Sequence, residues 1–210
     1  MSGPGVVLVH GLWFGPWSLT LLARRLRRAG FHTRSFRYRT TRQSLDRHAA
    51  DLRAFIGGVR ERPLHIVAHS LGGLLTLEML AHAEGLEAAR VVLLGSPLGR
   101  SAVAHKAGRV PGGRQLIGAA RDALLNDHGP LAVPNPVGMI AGTRGIGLDL
   151  LLGGTGGPGD GTVALAETRA EGLADRLELP VTHTGMLFSR AVAAQTVQFL
   201  RSGRFSPSPG

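Results

Sequence analysis

The chain reads as an α/β fold, with about six mostly parallel strands in one sheet and helices on both faces. Three observations predict it. Short runs of β-branched and aliphatic residues alternate with longer segments of helical periodicity, which is the pattern of strand–helix–strand crossovers. The runs end in glycine- or serine-bearing turns, and 31 glycines with 12 prolines fit many tight connections. A length of 210 residues is enough for one sizeable core and does not call for a second domain.

Taken in order, Gly5-Val6-Val7-Leu8-Val9 is the first strand, over 5–9. A helix over 17–29 follows, because Leu19, Leu22, Leu26 and Ala29 fall on one stripe while arginines take the other sides. Strands are expected near 33–38, 64–68, 90–95, 136–142 and 176–181. Helices are expected near 44–58, 72–84, 163–171 and 188–202, and one over 101–125 is broken at Pro111-Gly112-Gly113. These elements make one domain over 1–203. The stretch 98–134 alone is long enough for a small cap, with Leu116, Ile117, Leu124 and Leu125 available to cover an apolar ligand. Residues 204–210, rich in serine and proline, are expected to form a flexible tail.

Ser70 carries the strongest chemical signal. In Ala68-His69-Ser70-Leu71-Gly72-Gly73 an apolar strand stops at a serine among very small residues, and a helical pattern begins at once. Small neighbours let the helix cross close to the strand it has left, and a sharp turn projects the hydroxyl above the sheet edge. The competing reading is a plain N-cap serine. Three other loops follow strands or glycine turns: His10-Gly11-Leu12-Trp13, Gly159-Asp160-Gly161-Thr162-Val163, and Thr182-His183-Thr184-Gly185.

The order glycine loop, serine, acid, histidine is that of the α/β-hydrolases. On Val9-His10-Gly11-Leu12, Ala68-His69-Ser70-Leu71-Gly72-Gly73, Leu94-Gly95-Ser96-Pro97, Asp160-Gly161-Thr162-Val163 and Thr182-His183-Thr184-Gly185-Met186-Leu187, the chain resembles small, lidless bacterial lipases and serine esterases of that family. The resemblance spans residues 5 to about 200. Ala68 stands where the general pattern has glycine, a feature the minimal lidless lipases share, and the two N-terminal strands of larger members are expected to be absent.

The resemblance implies a carboxylic ester hydrolase that works through an acyl-serine. Ser70 would be the nucleophile, His183 the base and Asp160 the acid that orients it, with the N–H groups of Leu12 and Leu71 as the oxyanion hole. Asp149 competes with Asp160 as the acid, although it sits in an apolar run that reads as packing. Of the remaining histidines, His10 is expected to brace the glycine loop, and His69 to be a packing residue pointing away from the serine. Ser96, before Pro97, reads as structural. Trp13 and Phe14 are candidate walls of an acyl pocket, as are Met186 and Leu187, which follow the histidine. A thioesterase, an acyltransferase or a non-catalytic binding protein on the same scaffold stays open.

Composition bounds the partners. There is no cysteine, hence no disulfide and no thiolate metal site, and no motif calls for a metal or a cofactor. No signal peptide is visible before the first strand, so the expected location is the cytoplasm. The formal charge is +10, and twelve arginines between 24 and 62 against Asp46, Asp51 and Glu61 account for +9 of it. A solvated face explains this. Attraction to anionic lipid surfaces or acidic substrates is the functional reading. Nucleic acid is disfavoured, because no aromatic residues interleave the arginines.

Overall fold

Residues 5–9 can bury both faces because every side chain there except Gly5 is aliphatic, and they form the centre of the sheet. The computed structural model describes residues 3–82, 88–147 and 157–206. Six strands appear in it: β1 (Gly5–Val9), β2 (His32–Phe36), β3 (Leu64–His69), β4 (Val91–Leu94), β5 (Val137–Gly142) and β6 (Asp175–Leu179). They run in the order β2-β1-β3-β4-β5-β6, and each neighbouring pair is parallel.

The strands divide their side chains between two apolar layers. Val7, Val9, Ile66, Ala68, Val91 and Leu93 face helices α2 (Leu45–Gly57) and α3 (Leu71–Ala81). Val6, Leu8, Val67, Val92 and Leu94 face α1 (Thr20–Arg28) and the last helix, α7 (Arg190–Ser202). Three short helices, α4 (Ala102–Ala107), α5 (Gly113–Ile117) and α6 (Arg121–Leu125), lie between β4 and β5 in the chain. The expected break at 111–113 falls between α4 and α5, and Gly112 there takes a left-handed φ of 77°. Among the described residues no helix is long and apolar enough to cross a membrane.

Three expectations are corrected. The helix expected over 163–171 is only a 3-10 turn, Leu165–Thr168, because its backbone is committed elsewhere. Asp160 Oδ1 accepts from the N–H of Thr162 and Val163, and the carbonyl of Glu167 accepts from the N–H of Leu98 and Gly99. The second strand ends at Phe36, not 38, since Tyr38 turns inward to donate its hydroxyl to the carbonyl of His10 at 2.7 Å. The expected flexible tail is anchored as far as 206. Phe205 packs on Phe199 with ring centroids 4.8 Å apart, and its N–H donates to Asp175 Oδ2 at 2.7 Å. Residues 207–210 lie outside the described residues.

The chain passes from β1 to β2 on one side and then to β3 on the other, so the loops leaving β1 and β3 diverge. That divergence opens a crevice at the carboxyl end of the sheet, which is where parallel sheets place ligands.

Candidate active site

Ser70 stands at the head of α3 with φ 54° and ψ −125°, a backbone region that a residue with a Cβ enters only under constraint. Close packing imposes it. A Cβ on Gly72 would stand 2.6 Å from the carbonyl oxygen of His10, and one on Gly73 would collide with Ser96, so only glycines let α3 cross this close. The N-cap reading fails on the hydrogen bonds. Ser44, Ser101 and Ser189 each accept a backbone N–H at the start of their helices, whereas Ser70 makes no such bond. Its hydroxyl is left for other work.

The loop after β1 lies directly against this serine. A Cβ on Gly11 would be 2.9 Å from the Ser70 Cβ and 2.9 Å from His69 Nδ1. Leu71 opens α3, so its N–H has no acceptor within the helix, and the N–H of Leu12 likewise has none among the described residues. Both candidate donors therefore sit unpaired on backbone that adjoins Ser70. Tyr38 holds the loop from behind by its bond to His10. His10 stacks on Tyr38 and donates from Nδ1 to the carbonyl of Gly11 at 3.1 Å. Burial lowers the pKa of His10, which suits a neutral bracing role.

Asp160 and His183 meet although they lie far from each other and from Ser70 in the chain. His183 Nδ1 donates to Asp160 Oδ2 at 2.7 Å, and the backbone N–H of His183 donates to the carbonyl of Asp160 at 2.8 Å. Asp160 is 1% exposed. The N–H groups of Thr162 and Val163 donate to its other oxygen at 3.0 and 2.8 Å, so both of its oxygens act as acceptors. The excursion after β5 returns to the strand end, since a Cβ on Gly142 would lie 2.7 Å from that of Asp160. The competing acid, Asp149, lies outside the described residues.

Ser70 and His183 line one cavity of about 200 Å³. Leu12, Trp13 and Phe14 form part of its wall. Val103, Ala104, Ala107, Ile117 and Leu124, all from the segment between β4 and β5, form the opposite side. Trp13 joins the two sides. It has a positive φ of 62°, its N–H donates to Thr40 Oγ1 at 3.2 Å, and its indole N–H donates to the carbonyl of Leu116 at 2.8 Å.

Two candidates for the pocket wall are placed elsewhere. Met186 and Leu187 are fully buried in the apolar layer beneath the sheet, because the 3-10 turn Gly185–Leu187 rotates them inward. Met186 supports the acid and histidine from below, packing against Gly95 and Gly142. Leu116 points outward and is 64% exposed, unlike its neighbour Ile117. Ser96 is fully buried against α3, away from the cavity.

His69 is buried as expected, but it faces the site. Its ring centroid is 4.6 Å from that of His183, and its Nε2 donates to the carbonyl of His183 at 3.1 Å. Burial, reinforced by the nearby His183, holds its pKa well below the usual histidine range, so it acts as a neutral donor. Strand alternation missed this, since the turn at Ser70 redirects the end of β3. Gly95 was missed too. It has φ 56°, and a Cβ there would fall 2.9 Å from Asp160 Oδ2 and 3.2 Å from His183 Nδ1. In the sequence it stood only as a strand-end glycine within Leu94-Gly95-Ser96-Pro97, with no role attached.

The model of the alpha/beta hydrolase family matches residues 6–181. No curated protein sequence matches the chain. Among solved structures, the mature form of the Bacillus licheniformis lipase BlEst2 is similar at 17% identity and a TM-score of 0.74, over 96% of this chain and 92% of that one. The esterase EaEST from Exiguobacterium antarcticum is similar at 13% identity and a TM-score of 0.68, over 96% and 93%. A metagenomic carboxyl esterase is similar at 21% identity and a TM-score of 0.68, over 87% of this chain and 65% of that one. At these identities the likeness is one of fold. With the family model matched over most of its length, the chain belongs to the alpha/beta hydrolase family.

Proposed function

We propose that the protein is a serine hydrolase that cleaves carboxylic esters through an acyl-serine intermediate. One observation carries the reading: Ser70 heads its helix at a positive φ with an uncommitted hydroxyl, and shares a cavity with an imidazole tied to a buried carboxylate. The neutral imidazole of His183 takes the Ser70 proton at Nε2 as Oγ bonds to the ester carbon. The carbonyl oxygen becomes an oxyanion that receives the N–H groups of Leu12 and Leu71. Collapse of the tetrahedral species breaks the ester C–O bond, and the imidazolium returns its proton to the departing alcohol. Water then repeats the sequence against the acyl-serine. Asp160 holds the histidine tautomer and offsets its positive charge throughout.

The cavity favours a neutral aliphatic acyl group, since among the described residues its lining carries no lysine, arginine or carboxylate. Residues 98–134 act as a small fixed cap, joined to the glycine loop through Trp13. The lipase and esterases of similar fold support the ester as substrate.

The test is an acyl-chain series of nitrophenyl esters, with a matched thioester, on wild type and Ser70→Ala. A fluorophosphonate should label Ser70 alone, and Ser70→Ala should abolish both labelling and turnover. Labelling at another residue, or full turnover by Ser70→Ala, refutes the assignment. Turnover of the thioester in preference to every ester moves the protein to thioester hydrolysis with the same residues.

A further inference from the structure

Three arginines on the segment that braces the glycine loop are not matched by acids. Arg37, Arg39 and Arg42 line one surface concavity of about 570 Å³, together with Gln43, His48 and Asp51. Each is exposed, and among the described residues none has a side-chain hydrogen bond or an ion pair. The contrast lies within the same basic segment. Arg34 makes a two-pronged ion pair with Glu61 at 2.8 Å, and Arg47 pairs with Asp51 at 3.8 Å, so the one acid in the concavity is already engaged. His48 lines the concavity while 3% exposed. Its Nε2 donates to the carbonyl of Arg39 at 3.1 Å, and its Nδ1 has no hydrogen-bond partner among the described residues.

The arginines alternate with the residues that hold the candidate active site. Tyr38 donates to His10, Thr40 accepts from the N–H of Trp13, and the carbonyl of Thr41 accepts from the N–H of Ala119 at 3.1 Å. Tyr38 and Thr40 are buried while Arg37 and Arg39 between and beside them are exposed. The basic side chains thus stand one residue, about 3.8 Å of backbone, from the contacts that fix both walls of the cavity. With the acyl chain in the apolar cavity, as the proposed hydrolysis has it, the leaving group would extend toward the rim. Guanidinium groups bind phosphate oxygens by paired, charge-assisted hydrogen bonds.

We propose that Arg37, Arg39 and Arg42 form a subsite for a phosphate group on the alcohol or thiol half of the substrate, so that the preferred substrate is a phosphate-bearing acyl ester or thioester. This rests on the proposed ester hydrolysis. The chemistry is shared by lysophosphatidic lipids and by phosphorylated pantetheine thiols.

Two matched pairs test it: 1-hexanoylglycerol 3-phosphate against 1-hexanoylglycerol, and S-hexanoyl phosphopantetheine against S-hexanoyl pantetheine. Wild type should prefer the phosphorylated member in kcat/KM by at least about tenfold, the effect of one charge-assisted contact. The preference should collapse in Arg37→Gln/Arg39→Gln/Arg42→Gln and shrink in wild type as salt rises from about 0.01 M to 1 M. A preference in the glycerol pair alone assigns the subsite to lipids, one in the pantetheine pair alone to thiol carriers, and one in both to the phosphate itself. No preference in either pair, or one that the triple variant and salt leave intact, overturns the proposal. Binding of the glycerol pair to Ser70→Ala, followed by calorimetry, separates the two readings. If no ester turns over while phosphate-dependent binding persists, the hydrolase reading fails and the subsite stands.

Discussion

Replacing Gly95 by alanine should damage catalysis without touching any reacting group. The added Cβ would stand 2.9 Å from Asp160 Oδ2, 3.0 Å from Met186 Cε and 3.2 Å from His183 Nδ1. Non-bonded contacts of carbon settle near 3.5 Å, so the carboxylate must retreat by roughly half an ångström. That lengthens the 2.7 Å bond between Asp160 and His183 toward the limit of a hydrogen bond. A hydrogen bond to a charged group contributes about 1.5–3 kcal/mol, so kcat should fall roughly 10- to 100-fold. Losing the acid's role altogether costs roughly 10⁴-fold in a serine triad, which sets the upper bound. KM should hold, because Gly95 does not line the cavity. Alanine at φ 56° also costs about 1–2 kcal/mol, which lowers Tm by about 2–8 °C in a chain of this size. The assay is nitrophenyl ester kinetics with a melting curve. Gly57→Ala serves as control, since nothing lies within 4 Å of its Cβ position. A folded Gly95→Ala protein with kcat within about twofold of wild type would refute the argument that this contact positions the base.

Further expectations concern the neighbours of the site. His69→Leu removes the donor to the His183 carbonyl and should lower kcat about tenfold, while His69→Gln, which keeps a donor, should lose less; equal losses in a kinetic comparison would count against the hydrogen bond. Glu167 is 8% exposed, and burial, with nearby Asp160 adding to it, raises its pKa from 4.5 to about 7. The folded state therefore keeps a proton that the unfolded chain has released, and wild-type stability declines as pH rises from about 4.5 to 7. Glu167→Gln cannot titrate, so its Tm relative to wild type should climb on the order of 3 °C across that window and level off above it; a constant difference would show that Glu167 titrates normally. Gly11→Ala should abolish fluorophosphonate labelling of Ser70, because its Cβ would stand 2.9 Å from both His69 and Ser70; undiminished labelling would mean that the glycine loop is not held in contact with the serine.

The sheet was legible because its strands are runs such as Val6-Val7-Leu8-Val9 and Val91-Val92-Leu93-Leu94, which have nowhere to go but between two helical layers. The turn at Ser70 was legible because only very small residues permit it. The chain order of serine, acid and histidine anticipated which loops the structure brings to one edge. What failed depends on long-range partners. The 163–171 segment has helical composition, yet Asp160, Leu98 and Gly99 claim its backbone groups. Phe205 looks like part of a polar tail until Phe199 and Asp175 are beside it. Met186 and Leu187 adjoin His183 in sequence, but a single tight turn separates the polar edge from the core. His69 and Gly95 matter through distances to residues about 65 to 115 positions away in the chain.

The segment between β4 and β5 leaves and rejoins the body of the protein at almost the same place. The N–H of Ser101 donates to the carbonyl of Leu124 at 2.9 Å, and that of His128 to the carbonyl of Leu98 at 3.1 Å. At its root, Glu167 receives the N–H groups of Leu98, Gly99 and Ala102. A stretch clasped at both ends in this way closes on itself, so a change of length within it is absorbed before it reaches β4 or β5, while Trp13 and Thr41 tie its middle to the glycine loop and the segment after β2. Substitutions inside the clasp that keep both ties would reshape the wall of the cavity while the parallel sheet stays as it is.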